Sequence, residues 1–286
     1  MKIGIVGNGF VGSSVAFGFS SQTGCDAEVR IYDKDRTKST STLQETIDKS
    51  DFIFVSVPTP SNLDGSINLD IVNDVFDKMD NLNKRKDNIF LLRSTVTPGT
   101  TREIQERCPN LNIVFNPEFL TERSAKYDFI NQSRFILGGK ESLTEKTAQL
   151  FRERFGNTTP TIKTNYETAE MIKYMNNCFF ATKLSFLNEM YQVAQRVGVD
   201  WDDALEGFVR DGRIGHSHIS VPGPDGNLGF GGSCFPKDVR AMIDFSKKVS
   251  VKPTVLKSVW DKNLEVREDR NWLEMTGRAV VESKDD

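Results

Sequence analysis

Short apolar, β-branched runs that end in glycine, proline or an acid alternate with stretches of helical spacing through the first half of the chain. Lys2 to Val6 is such a run; it ends in Gly7-Asn8-Gly9-Phe10-Val11-Gly12, after which Ser13 to Ser20 reads as a small-residue helix. Glu28 to Tyr32 reads as a second strand closed by Asp33, and Asp51 to Val57 as a third closed by Pro58-Thr59-Pro60. Helical spacing returns over Leu69 to Met79, followed by a strand at Ile89 to Arg93 and a helix from Gly99 to Arg107. Ile113 to Phe115, Arg134 to Leu137 and Thr161 to Lys163 are further strands, with a helix from Leu143 to Phe155 between the last two. Strands alternating with helices predict an α/β fold with a Rossmann-like, doubly wound, mostly parallel sheet.

The pattern changes near Asn165. Thr168 to Val197 contains no proline or glycine, and Met171, Tyr174, Met175, Cys178, Phe179, Thr182, Phe186, Met190 and Val193 recur at steps of three and four. That spacing predicts one long helix, and the remainder reads as helical apart from a loop over Gly212 to Pro236. Two domains are expected, 1–164 and 165–286, the second mainly helical. No repeat of solenoid length or low-complexity segment occurs, and the polar tail Ser283 to Asp286 is expected to fray.

Composition narrows the function. With 37 Lys and Arg against 40 Asp and Glu the net charge is −3, and no basic block appears, which argues against nucleic acid as a partner. The apolar runs are far shorter than a membrane span, and a strand and glycine turn begin at once after Met1. A soluble, cytoplasmic protein is the expectation. Cys25, Cys108, Cys178 and Cys234 are widely separated without a C-x-x-C pair, which predicts reduced thiols and neither a disulfide framework nor a thiolate metal site. His216 and His218 flank Ser217 without a nearby carboxylate cluster and read as solvent-facing residues, so no metal is expected.

Two segments carry the chemistry. The G-x-G-x-x-G of Gly7, Gly9 and Gly12 follows a strand and opens a helix, so its backbone admits a pyrophosphate at the helix N-terminus. Asp33, closing the second strand, is placed to accept ribose hydroxyls and favours NAD over NADP, a preference that Arg36 and Lys38 weaken without reversing. Phe10, Val11, Lys38, Pro58, Thr59 and Thr95 complete the expected cofactor contacts. The second segment is Gly229-Phe230-Gly231-Gly232-Ser233-Cys234-Phe235-Pro236-Lys237-Asp238, which places a cysteine on a glycine bend with a lysine three residues later. A thiol is nucleophilic as thiolate, and a nearby ammonium with backbone N–H groups favours that form. Pro58-Thr59-Pro60 and Ser94-Thr95-Val96 follow strands, where open sheets put ligand loops; Thr95, with a helix just after it, is the stronger candidate for touching cofactor or water. Glu118 lies in another post-strand loop, and Lys173 and Asn177 share one face of the long helix.

Taken together, GFGGSCFPKD, Asn116-Pro117-Glu118-Phe119-Leu120 and Lys173-x-x-x-Asn177 resemble the UDP-glucose/GDP-mannose dehydrogenase family, from Lys2 to about Arg267. The resemblance implies an NAD-dependent, four-electron oxidation of a nucleotide-sugar C6 alcohol to the carboxylate, through a thiohemiacetal and a thioester on Cys234. It gives Lys173, with Asn177, the developing oxyanion; Asp238 and Glu118 protons or water; and Thr95 the orientation of that water. Phe119, Leu120, Glu122, Arg213 and Gly231 fall where the family contacts substrate, Arg213 across a homodimer in which the long helix forms much of the interface. The glycine run is expected to offer its N–H groups to the sugar, and surface polysaccharide is the expected destination of the acid.

Three departures accompany the match: no third C-terminal α/β domain follows, the loop Ser220 to Asn227 is extended, and Arg123 stands where the family has glycine. A two-electron β-hydroxyacid dehydrogenase, which needs a helix lysine but no cysteine, and a catalytically silent NAD-binding subunit are the competing readings.

Overall fold

The seven strands are β1 (Lys2–Val6), β2 (Glu28–Tyr32), β3 (Phe52–Val55), β4 (Ile89–Leu92), β5 (Ile113–Phe115), β6 (Phe135–Gly138) and β7 (Thr161–Thr164), in the order β2-β1-β3-β4-β5-β6-β7. The computed structural model describes residues 1–282, so the tail expected to fray from Ser283 lies outside the described residues. Every neighbouring pair is parallel except β5 with β6, which meet antiparallel at Phe115 and Gly138. The helices between strands are α1 (Phe10–Gly18), α2 (Leu43–Asp48), α3 (Asp70–Leu82), α4 (Thr100–Arg107), α5 (Ala125–Ile130) and α6 (Glu141–Phe155).

The central strands are apolar at consecutive positions because both faces of the sheet are covered. Val55, Phe90, Leu92 and Phe115 turn to one core, with Phe76 of α3 and Ile104 of α4. Ile5, Phe54, Leu91 and Val114 turn to the other, with Val15 of α1, Phe129 of α5 and Phe151 of α6. This is the doubly wound arrangement that the strand and helix alternation predicts. The short helices α2 and α5 escape a reading by periodicity because six residues show too few repeats. Local chemistry makes α2: Thr42 and Glu45 form a capping box that satisfies two amide groups reciprocally.

β1 lies between β2 and β3, so the chain departs to opposite sides of β1, and open sheets bind ligands beyond the strand ends at such a switch point. The glycine turn after β1 is built for close approach. Gly7 has φ +88°, and a Cβ there would lie 2.3 Å from the Ser56 carbonyl oxygen; a Cβ on Gly12 would lie 1.9 Å from that of Gly7. Both obstacles are backbone, which cannot swing aside. Gly12→Ala is therefore expected to lower stability by about 1–3 kcal/mol and to weaken NAD binding at least about tenfold, because 1.4 kcal/mol of turn distortion is already that factor. Thermal melts and NAD titration by tryptophan quenching check both effects.

The molecule divides into two units, Met1–Thr59 with Leu69–Lys173, and Pro60–Asn68 with the chain from Tyr174 onward. The division thus falls later than the expected 164/165 boundary. The long helix α7 (Tyr166–Val197) begins in the first unit, where the Tyr166 hydroxyl donates to the Ile113 carbonyl at 2.8 Å and Ala169 joins the core. Pro60–Asn68 belongs to the second unit because Ser61 pairs with Ala279 and Val281 and Arg240 donates to the Leu63 carbonyl at 2.7 Å.

The second unit continues with α8 (Trp201–Val209), α9 (Cys234–Lys248) and α10 (Thr254–Val266). The predicted loop to Pro236 is too long: α9 starts at Cys234. Proline in a first helical turn loses no internal hydrogen bond, so Pro236 does not mark the end of the loop. Among the described residues no helix is long and apolar enough to cross a membrane.

Candidate active site

The first unit carries the residues expected to contact the cofactor. Asp33, at the end of β2, accepts the Asn8 amide on Oδ2 at 2.6 Å and the Asp35 amide on Oδ1 at 2.9 Å, while the Asn8 side chain donates to the Lys38 carbonyl at 2.9 Å. The acid thus braces the glycine turn, and each carboxylate oxygen keeps a lone pair for a ribose hydroxyl. Gly9 caps α1 without a side-chain bond, nothing lies within 4 Å of the position of a Cβ on it, and Phe10 and Val11 form the first turn. An uncapped helix N-terminus over open space beside a close-packed glycine turn fits a dinucleotide pyrophosphate. Past β3 and β4, the buried Thr59 hydroxyl donates to the Thr95 carbonyl at 2.9 Å, and Ser94 bonds both the amide and the carbonyl of Val57 at 3.0 and 2.7 Å. These bonds lace the loops carrying Pro58, Thr59 and Thr95 together.

Glu118 is a buried residue, 6% exposed, and departs from the solvated loop acid that its position alone suggests. The Lys173 ammonium, 3% exposed, donates to the Glu118 carbonyl at 2.6 Å and to Oε1 at 2.9 Å, and the Leu120 amide donates to Oε2 at 2.7 Å. Burial pushes the Glu118 carboxyl up, but the Lys173 charge and these hydrogen bonds outweigh it and hold the group below the ordinary glutamate range. Phe119 packs beside this pair with Lys173 5.4 Å from its ring centroid; Leu120 is half-buried and Glu122 exposed. One helical turn earlier, the fully buried Glu170 accepts the amides of Gly99 and Thr101, each at 2.7 Å, and so caps α4 just after the Thr95 loop.

In the second unit Cys234 is partly exposed, whereas Cys25, Cys108 and Cys178 are buried. Burial pushes the Cys108 thiol up to about 12 and drives Cys178 up as well, which leaves both inert. Cys234 opens α9, whose N-cap Ser233 makes no side-chain cap bond; its Oγ lies 3.7 Å from the Cys234 Sγ. Lys237, the lysine expected to act on this thiol, is buried with its Nζ 2.5 Å from Asp238 Oδ1, so it shares its charge with that carboxylate. Asp238 accepts the Asn177 amide on its other oxygen, also at 2.5 Å.

The glycine run is corrected too. The amide N–H groups of Gly229, Phe230 and Gly232 are taken by Asn188, Asn263 and Asn271 at 2.8, 2.7 and 3.0 Å, rather than held ready for a sugar. A Cβ on Gly231 would lie 2.4 Å from the Arg267 guanidinium, so the strap admits no side chain there. Arg267, 2% exposed, also binds the Leu228 carbonyl and Asp225, anchoring the extended loop. None of these anchors stands out by spacing, although buried asparagines inside α7 and α10 are a signal, since asparagine is a poor interior helix former.

His216 is exposed, as expected, whereas His218 is half-buried: its ring stacks on Phe180 with centroids 4.0 Å apart, and burial lowers its basicity. Lys183 on α7 donates to the carbonyls of Ile214, Gly215 and Ser217 and shapes the loop that carries Arg213, an exposed residue paired with Asp211. No group of three or more potential metal ligands occurs among the described residues.

A glycine-turn nucleotide half on a doubly wound sheet, followed by a helical unit bearing a thiol at a helix start, defines the class of NAD-dependent dehydrogenases with a cysteine in the second domain. Residues 28–155 match the NAD binding domain, and residues 167–265 the central domain, of the UDP-glucose/GDP-mannose dehydrogenase family. The UDP-glucose 6-dehydrogenase AglM of Haloferax volcanii is 33% identical across 92% of this chain and 69% of its own length. The UDP-glucose 6-dehydrogenase YwqF of Bacillus subtilis is 36% identical across 74% of this chain, which spans about half (48%) of that relative. A UDP-glucose dehydrogenase structure from Pyrobaculum islandicum superimposes with TM-score 0.79 at 27% identity, covering 92% of this chain and 68% of the other. The chain belongs to the UDP-glucose/GDP-mannose dehydrogenase family, and its cofactor is NAD.

Proposed function

We propose that this chain oxidises the C6 alcohol of a nucleotide sugar to the carboxylate, UDP-glucose to UDP-glucuronate foremost, through a covalent adduct on Cys234. The observation that carries the reading is the position of Cys234: the partly exposed thiol of the molecule, at the uncapped start of α9, where negative charge on sulfur is stabilised. The glycine turn would hold NAD, which would accept one hydride in each of two successive two-electron oxidations, a second NAD replacing the first NADH between them. The Lys173 ammonium, held by Glu118, stabilises alkoxide charge as the alcohol becomes an aldehyde and again as the tetrahedral carbon forms, with Asn177 assisting. Cys234 adds to the aldehyde as a thiohemiacetal; its oxidation leaves a thioester, which water opens to the acid and the free thiol. Thr95, Glu118 and Asp238 position that water and its protons. Phe119, Leu120, Glu122, Arg213 and Gly231 are the substrate contacts.

A homodimer along α7 accompanies this reading. Met175, Phe179, Phe186, Val193 and Val197 are 51–68% exposed at steps of four and seven, a continuous apolar seam on one helix face. Phe186→Glu is expected to convert the dimer to monomer in size-exclusion chromatography with light scattering; an unchanged mass excludes the seam.

Purified protein incubated with UDP-glucose, GDP-mannose and related sugars, scored for NADH and acid, tests the function. Two NADH per acid is the expected result. One NADH per substrate favours the β-hydroxyacid reading, and none the silent subunit.

A further inference from the structure

The residue that follows β4 is a buried cation that the mechanism above does not use. Arg93 is 1% exposed and lies against Phe54 and Phe129, whose ring centroids are 5.9 and 5.5 Å from its Cζ. Its Nη1 donates to Asn116 Oδ1, whereas Nε and Nη2 have no hydrogen-bond partner among the described residues. Taking a guanidinium out of water costs several kcal/mol unless charge and hydrogen bonds replace its hydration. Two aromatic faces and one amide replace only part of it. Burial accordingly brings Arg93 down to about 10, and the charge that opposes this fall is Glu118.

A residue needed only to fill space here would be apolar, since methionine or leucine would pack between the same rings without two orphaned donors. The surroundings tie Arg93 to the Glu118 turn. Asn116, its partner, donates its amide N–H to the Leu92 carbonyl at 2.8 Å and its side-chain Nδ2 to the Ile136 carbonyl at 3.0 Å. Two residues on, Glu118 receives Lys173 from α7. Lys173 and Arg93 are two cations that act on Glu118 from α7 and from the residue after β4; Arg134 also reaches this turn, 4.3 Å from the Phe119 ring centroid, and Glu122 follows it, exposed.

We propose that Arg93 is a positioning residue: as the second counter-charge to Glu118 it keeps that group a carboxylate, and so keeps the Lys173 ammonium docked in the turn for catalysis. The catalytic half of this statement rests on the dehydrogenase reading; the pairing does not. Glu118 then serves as a fixed acceptor rather than as a store for the proton released in oxidation.

The test uses full-length Arg93→Met, with Arg93→Gln as the substitute if methionine prevents folding and Arg93→Lys as the charge-preserving control. Infrared titration of the carboxyl band, with Glu118→Gln as the blank, reads Glu118 directly. In Arg93→Met, Glu118 is expected to protonate about one pH unit or more higher than in the wild type, and the acid limb of kcat/KM for NADH production to rise with it. Arg93→Lys should retain the wild-type titration while raising KM, because lysine keeps the charge but not the link to Asn116. An unmoved Glu118 titration in Arg93→Met overturns the proposal, and so does a moved titration with an unmoved acid limb. Absence of turnover on every sugar counts against the dehydrogenase reading alone, since the infrared titration still decides the pairing.

Discussion

Cys234→Ala protein is expected to release no NADH-coupled acid from a nucleotide sugar, a loss of at least about a thousandfold, while binding NAD as the wild type does. The two effects separate because the cofactor turn lies in the first unit and Cys234 in the second. The side chain is half-buried at a helix start and its removal opens no large core cavity, so the variant should fold. Stopped-flow NADH absorbance with UDP-glucose measures turnover, and isothermal titration measures NAD binding. Full activity in the alanine variant would eliminate the covalent route.

Lys173→Met should be the most damaging change in the first unit. It removes both hydrogen bonds to Glu118, at 2.6 and 2.9 Å, and leaves a buried carboxylate with Arg93 as its remaining counter-charge. Breaking a buried ion pair from one side costs about 3–5 kcal/mol, and the oxyanion loses its ammonium as well. The pH dependence gives the loss its signature. In the wild type the folded Glu118 carboxyl lies below its unfolded value, so its stabilisation is present above about pH 4.3 and is lost as pH falls through the folded value. In Lys173→Met burial dominates, the folded value rises, and acidification relieves the buried charge. The stability gap between the two proteins therefore narrows from pH 7 to pH 4.5 in urea denaturation; a constant gap would show that Lys173 acts by packing alone.

Much of the fold was legible because it rests on short-range physics. Consecutive apolar residues in Phe52–Val55 and Ile89–Leu92 announce strands covered on both faces, and Gly7, Gly9 and Gly12 announce a turn whose backbone must approach other backbone. The misses have equally definite causes. A mostly parallel sheet leaves open which strand runs the other way, and α5, which precedes the antiparallel β6, is too short to show a period. The start of α9 hides behind Pro236, a residue that stops helices everywhere except in their first turn. In the site, Cys234, Lys173 and Glu118 were legible as residue types in context, but their charge relations were not. The sequence puts Lys237 near Cys234 without showing that Asp238 pairs with it, and Arg93 reads as a strand end with no sign of its burial. Buried pairings of this kind join distant positions, such as Glu118 with Lys173 or Gly229 with Asn188, and no local spacing encodes them.

Intact-protein and peptide mass spectrometry on enzyme acid-quenched during turnover of UDP-glucose and NAD detects the covalent intermediate on the thiol itself. An acyl adduct of the oxidised nucleotide sugar is expected on the peptide containing Cys234, absent without NAD and absent in Cys234→Ala. Sustained acid formation in single-turnover time courses, with Cys234 unmodified at every time point, would contradict it.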